Sequence, residues 1–373
     1  MKCPILGHLS LFVSTALLSC IGTQAQIPIP VRVGYLPATH DALLFIALEE
    51  KLFPKEIDVQ PQRYLNSGEI LQHLTAGDVD FGIPGVAAPA RYVSTGAPLL
   101  IIAGAATRSA ALVVRGDLAN SFPTGKGGKL TDQEIEKVFE ALKSRRVGTV
   151  LQSTGDSIFR AAIAKRNLSR SIIVQAKSSP SEILTELEAK NLDAGVLWSP
   201  HMTRAEHSGM PIVLWMYELM PNHDHVCCRF VCANSFAKTS PHAVEQFLAG
   251  ILKAYDEYLN GDRNRIMASV NKYLSPSLLD EDLRLELYGD PSHGIQPRTS
   301  LSPDLLEAGI HDYLAAMQTA QLLTDEQGKR IDQSISHVYL SAAYKLAFSS
   351  LTPAQAERCA KEGFLRCPIQ RKP

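Results

Sequence analysis

Short apolar strands alternate with amphipathic helices along two separate stretches of the chain, and no other sequence feature limits the fold as strongly. In the first stretch residues 31–35, 57–60 and 79–82 read as strands, with helices over 41–53 and 67–76 and a small-residue helix opening near Gly85. Residues 99–103 and 111–114 add two buried strands. In the second stretch, strands over 147–150, 172–174, 194–197 and 212–215 alternate with helices over 157–165 and from Ser179 onward. Such alternation predicts an α/β protein, with parallel sheets covered by helices on both faces. Thr131-Asp132-Gln133-Glu134 has the form of a capping box ahead of a helix over 134–143. Ser179-Pro180-Ser181-Glu182 combines an N-cap, a proline at the first helical position and a glutamate at the third.

Residues 115–129 break the pattern with four glycines, Pro123 and three basic residues, and read as a crossing between two lobes. A return falls near 226–236, and beyond 240 the chain reads as helical over 241–259, 263–273, 303–318 and 325–348. The expected division is lobe 1 over 26–115 plus 234–373 and lobe 2 over 116–233. In open α/β sheets a ligand lies beyond the carboxyl ends of the strands. Two lobes joined by two crossings would set those ends face to face across a cleft.

Residues 1–25 have the form of an export signal, with Lys2, an apolar stretch over 5–18 and Thr23-Gln24-Ala25 as a small-residue cleavage site. Leu17-Leu18-Ser19-Cys20 resembles a lipoprotein box, so anchoring through an acylated Cys20 is the second expectation. The protein is therefore expected to be periplasmic or otherwise exported. Five cysteines follow the signal, an odd number, so at least one thiol stays outside any disulfide. Cys359 and Cys367 are the easier pair, since adjacent Cys227 and Cys228 strain the geometry of a bridge. With 37 Lys+Arg against 38 Asp+Glu, the charge balance lacks the basic excess of a nucleic-acid binder. There is no G-x-S-x-G and no phosphate loop, so acyl transfer and nucleotide hydrolysis find no support.

The candidate ligand groups sit after strand ends. Thr39, His40 and Asp41 follow the first strand, Gly85 and Val86 the third, and Ser153, Thr154 and Gly155 open a helix whose free N–H groups suit a polar or anionic atom. Asp156 in that loop argues against a bare dianion. Trp198 follows another strand and could wall a pocket. The densest cluster is Pro221-Asn222-His223-Asp224-His225-Val226-Cys227-Cys228, after which Phe230 and Cys232 follow. If extended, it places His223, His225 and Cys227 on one face and Cys228 on the other. His223, His225, Cys227 and Cys228 are thus the candidate ligands of a transition metal, with buried structural cysteines as the alternative. No other cofactor is expected.

Four segments carry a resemblance: VRVGYLPATHDALLFIALEEKLF, LTAGDVDFGIPGVAAPARYVSTGAPLLIIAG, RRVGTVLQSTGDSIFRAAI and LDAGVLWSPHMTRAEHSG. In order and spacing they resemble the nitrate/sulfonate/taurine class of ABC-transporter substrate-binding proteins over residues 31–260. PNHDHVCCRFVCANSF resembles a branch of that class with an Asn-His-Pro-Cys-Cys signature, with Cys227 and Cys228 as its cysteine pair and Phe236 as its downstream aromatic. The sequence departs from it in having Val226 at the proline and two additional residues. The resemblance implies the type II periplasmic-binding-protein fold, two α/β lobes with a ligand cleft and here a helical C-terminal extension. It implies a monomeric, non-enzymatic receptor that binds a small solute and meets an ABC permease and ATPase. A related branch comprises the thiamin pyrimidine-precursor synthases, which need a lysine and a histidine after the D-x-G strand. Pro84 and Ala88 stand there in this chain, which takes the chemistry from that alternative. The remaining alternative is a metal- or thiol-dependent enzyme or sensor built on the same fold.

Overall fold

A computed structural model describes residues 27–123, 130–220 and 226–369. Residues 1–25, where an export signal is expected, with Cys20, and also His223 and His225, lie outside the described residues.

Two sheets organise the chain. The strands are β1 (Ile29–Tyr35), β2 (Ile57–Arg63), β3 (Phe81–Gly82), β4 (Leu99–Arg108), β5 (Ala110–Val114), β6 (Arg146–Val150), β7 (Ile173–Lys177), β8 (Ala194–Trp198), β9 (Ile212–Trp215), β10 (Val226–Ala233) and β11 (Thr299–Leu301). The first sheet runs β11-β4-β10-β3-β1-β2 and the second β7-β6-β8-β5-β9. β1 pairs parallel with β2 and β3, and β6 parallel with β7 and β8, the two βαβ cores that the alternation predicts. β5, β10 and β11 are all antiparallel insertions.

The first half holds α1 (Ala42–Glu49), α2 (Ser67–Ala76), α3 (Ala87–Ser94), α4 (Asp132–Ala141), α5 (Thr154–Lys165), α6 (Pro180–Glu188) and α7 (His201–His207). The second half holds α8 (Asn234–Thr239), α9 (Pro241–Asn260), α10 (Arg263–Asn271), α11 (Asp280–Tyr288), α12 (Glu307–Thr319), α13 (Asp325–Gln333), α14 (Val338–Ala347) and α15 (Pro353–Glu362). Residues 42–47 of α1 are buried all round, which explains its unbroken apolar run. Thr131 and Glu134 form the expected capping box of α4, and Ser179 caps α6. The two cores also share an ion-pair device. Arg32 in the middle of β1 clasps Asp80 at 2.7 Å, and Arg146 at the start of β6 clasps Asp193 at 3.1 Å, each aspartate opening a D-x-G strand.

Several expectations shift. β5 belongs to the second sheet, so the chain crosses at Ser109, not near 115–130, and the turn uses left-handed φ values of 66° and 62° at Arg108 and Ser109. β10 lies wholly in the first sheet, so the return precedes Val226. The single helix expected over 325–348 is two, because Ile335 leaves the helix to pair with Ile101 of β4. The helix expected from 303 begins at Glu307, after Ser302–Leu305 backbone packs on β4.

Cys359 and Cys367 form a disulfide, eight residues apart. Closing so short a loop stabilises by about 2–3 kcal/mol. The double substitution C359S/C367S is therefore expected to lower the melting temperature and raise hydrogen exchange over α15, with the two sheets unchanged. Exchange unaltered in α15 would contradict that role.

Candidate functional site

Loops from both sheets converge on one cavity of about 20 Å3, lined by Leu36, His40, Ser67, Gly85, Ser109, Ala110, Ser153, Thr154, Gly155, Trp198, Cys227 and Cys228. His40 comes from the turn after β1, Gly85 from the loop between β3 and α3, Ser153–Gly155 from the β6–α5 junction and Trp198 from the end of β8. Ser153 caps α5 by accepting from Asp156 N at 3.0 Å, which leaves the first turn of that helix facing the cavity. Cys227 connects the two sheets. Its carbonyl accepts from Val86 N at 2.7 Å on the first-sheet side and from Thr154 Oγ1 at 3.1 Å on the second.

The cysteines depart from strand alternation. Between the Val226–Thr107 and Cys228–Ala106 pairs, Cys227 is an extra residue on β10, a β-bulge. The bulge turns both thiols to one side, with Sγ atoms 3.2 Å apart, and Ser109 Oγ donates to Cys227 Sγ at 2.9 Å. The alternation expected from the sequence, with the two cysteines on opposite faces, fails for this reason.

Of the other expected residues, Thr39 and Asp41 are buried beside the cavity but do not line it. Thr39 Oγ1 meets Thr299 Oγ1 at 2.9 Å, and Asp41 Oδ2 accepts from Leu36 N at 2.7 Å. Val86 contributes its N–H to Cys227. Asp156 turns away, accepting from Thr149 Oγ1 at 2.6 Å and Arg160 Nε at 2.7 Å, so its charge does not face the cavity as the sequence suggested. Ser67 and Ser109 escaped sequence reasoning. Ser67 opens α2 in the same way that Thr154 opens α5, and Ser109 is a lone hydroxyl between two apolar strands.

Burial dominates the electrostatics. His40 is 3% exposed, and neither ring nitrogen has a hydrogen-bond partner among the described residues. Burial pushes its pKa down, disfavouring the charged ring, while the nearby Cys227 opposes that shift. Burial lifts the Asp41 carboxyl well above the usual carboxylate range, against the Leu36 N–H that lowers it. Burial likewise pushes the Cys228 thiol well up, reinforced by Cys227 and Asp41 and opposed by Arg229.

An outer chamber of about 310 Å3 shares Leu36 and Trp198 with the inner cavity. Arg63 and Tyr64 from the first sheet and Ser179, His201 and Arg204 from the second side line it. Burial, aided by Arg204 and Arg63, lowers the His201 pKa to about 4. The unfolded chain therefore binds more protons than the folded one between pH 6.5 and 4, and stability falls as pH drops through that window. A loss on the order of 3 kcal/mol is expected, complete near the folded value. In H201Q the melting temperature should fall less over that interval; an unaltered slope would contradict the assignment.

Three solved structures share the fold: the nitrate-binding protein NrtA of Synechocystis (TM-score 0.69, 13% identity, 88% of this chain and 91% of that one); the alkanesulfonate-binding protein SsuA of Xanthomonas axonopodis, bound to MOPS (0.63, 17%, 83% and 98%); and an ABC-type import ligand-binding component of Staphylococcus aureus with zinc bound (0.60, 15%, 79% and 93%). The chain thus has the periplasmic-binding-protein fold, with two α/β units of the type II kind. It belongs to the NMT1-like family, whose model matches residues 24–271. Proteins of Brucella abortus and Brucella suis named as binding proteins are 29% identical over 236 residues, which is 61% of this chain and 66% of theirs. No helix among the described residues is long and apolar enough to cross a membrane.

Proposed function

We propose that this chain is the exported solute-binding component of an ABC importer, which captures one small solute between two lobes and passes it unaltered to a membrane permease. The lobes are best drawn as residues 27–108 with 226 onward, and 110–220. The observation that carries this reading is the cavity itself: strand-end loops of both sheets meet there, and Cys227 O accepts hydrogen bonds from both sides at once. That geometry suits hinge closure over a guest. Among the described residues no lysine or arginine lines the inner cavity, while Arg63 and Arg204 line the outer chamber. A small organic solute with an anionic group, of the sulfonate class, suits that division, its anion beside the two arginines.

Thermal-shift and calorimetric titration of the processed chain with alkanesulfonates, aminosulfonates, nitrate and pyrimidines tests the proposal. A one-to-one binder at about 100 times its Kd should stabilise by about 2.7 kcal/mol. R63M and R204M should weaken that binding. Silence across the panel, or chemical conversion of a bound compound, would overturn the proposal.

A further inference from the structure

We propose that His40, Cys227 and Cys228 form a three-ligand site for a thiophilic d10 metal ion, of the Zn2+ or Cu+ class, at the floor of the cleft. The inference deepens the receptor reading and rests on it, because the ion would occupy the same inner cavity.

Four observations carry it. One nitrogen of His40 and the two sulfurs lie within 4.8 Å of one another, all in buried residues. Ligands held at roughly 2.0–2.3 Å around one such ion sit roughly 3.3–3.8 Å apart, so only small side-chain adjustments complete the triangle. Second, an imidazole 3% exposed, with no hydrogen-bond partner among the described residues for either nitrogen, has both nitrogens open to a ligand. Leaving them unmet costs about 1–3 kcal/mol. Third, the bulge at Cys227 does what a regular strand does not: it brings adjacent cysteines to one side, with sulfurs 3.2 Å apart. Fourth, the cavity of about 20 Å3 fits a single ion or water, and not an organic solute.

The donor set fixes the class of ion. Two sulfurs and an imidazole are soft to borderline ligands that disfavour Ca2+ and Mg2+. Asp41 Oδ1 lies 3.5 Å from His40 Nε2, where a carboxylate can set the ring's tautomer and orientation once an ion is bound. Binding displaces a proton from each cysteine that is a thiol, forming a metal–sulfur bond and releasing H+ to solvent, and the cation offsets the burial that otherwise disfavours thiolate. Three protein ligands leave a fourth position for a solute atom or water.

The test uses the processed chain, reduced and stripped with a chelator, then equilibrated with Zn2+ alone or with Co2+ as a spectroscopic probe. The expected results are one metal per chain, a near-ultraviolet sulfur-to-cobalt band, and protection of Cys227 and Cys228 from alkylation by Zn2+ while Cys232 is unaffected. H40A, C227S and C228S should each lower affinity at least about 100-fold, and C232S should not. Melting curves of the metal-free variants establish that each is folded, and the alkylation arm needs no variant. Substoichiometric metal, absence of protection, or unchanged affinity in the folded variants would overturn the site. Solute binding by the stripped protein without metal uptake would remove this inference and leave the receptor reading standing. Metal uptake without binding of any solute would do the reverse.

Discussion

Replacing Gly85 by valine is expected to hold the cleft open and to raise the alkylation rate of Cys227 and Cys228 by about 10–100-fold. Gly85 ends the β3 loop of the first sheet, and Thr154 opens α5 on the second. A Cβ on Gly85 would stand 2.6 Å from Thr154 Oγ1 and 3.4 Å from its backbone nitrogen. The hydroxyl is itself engaged with Cys227 O, so it has no costless rotation away. Overpacking of this kind costs about 1–3 kcal/mol, and the two sides can avoid it by separating. Each 1.4 kcal/mol so placed shifts an open–closed equilibrium about tenfold. Cys232 is fully buried in the first sheet and serves as the internal control. Equal labelling of the pair in the variant and the parent would show that Gly85 does not set the approach of the two sides.

The second large effect lies behind the site. Glu286 in α11 is fully buried and accepts from Thr203 Oγ1 of α7 at 2.7 Å and from Thr299 Oγ1 of β11 at 3.5 Å. Arg298 Nη1 stands 3.6 Å away and also pairs with Glu206. This cluster joins the C-terminal extension to the second sheet's helix, and through Thr299 to Thr39 beside the cavity. Burial raises the Glu286 pKa and Arg298 opposes it. E286A leaves the buried Thr203 and Thr299 hydroxyls without their acceptor and takes one of two carboxylates from Arg298, so it should cost about 3–5 kcal/mol and lower the melting temperature by several degrees. Adding R298M to E286A should recover little of that loss, because Arg298 keeps its ion pair with Glu206 when Glu286 is gone. A melting temperature unchanged in E286A would contradict the role given to this cluster.

What the sequence made legible is what local chemistry determines. The apolar run of α1, the caps at Thr131, Ser153 and Ser179, and the strand ends at Gly85 and Trp198 all follow from residues within a turn or two of each other. The antiparallel pairings did not show, even for β5, which reads as a strand, because β5, β10 and β11 are placed by partners far away in the chain. β11 is only three residues long and carries no periodic signal. The site was half legible for the same reason. Position after a strand pointed to His40, Ser153–Gly155 and Trp198, and residue type pointed to Cys227 and Cys228. The bulge that turns the two thiols together depends on register against β4, and the meeting of His40 with them depends on the sheet order. Sequence spacing instead suggested His223 and His225, neighbours in the chain that lie outside the described residues.

The central claim is that two hinged lobes close over a solute held in the cleft between them, at the outer chamber lined by Arg63 and Arg204. Small-angle scattering of the processed chain, with and without the solute that most raises its melting temperature, tests that claim most directly. The account predicts a smaller radius of gyration on solute addition, and no such contraction in G85V. Identical scattering curves with the cleft saturated would contradict it.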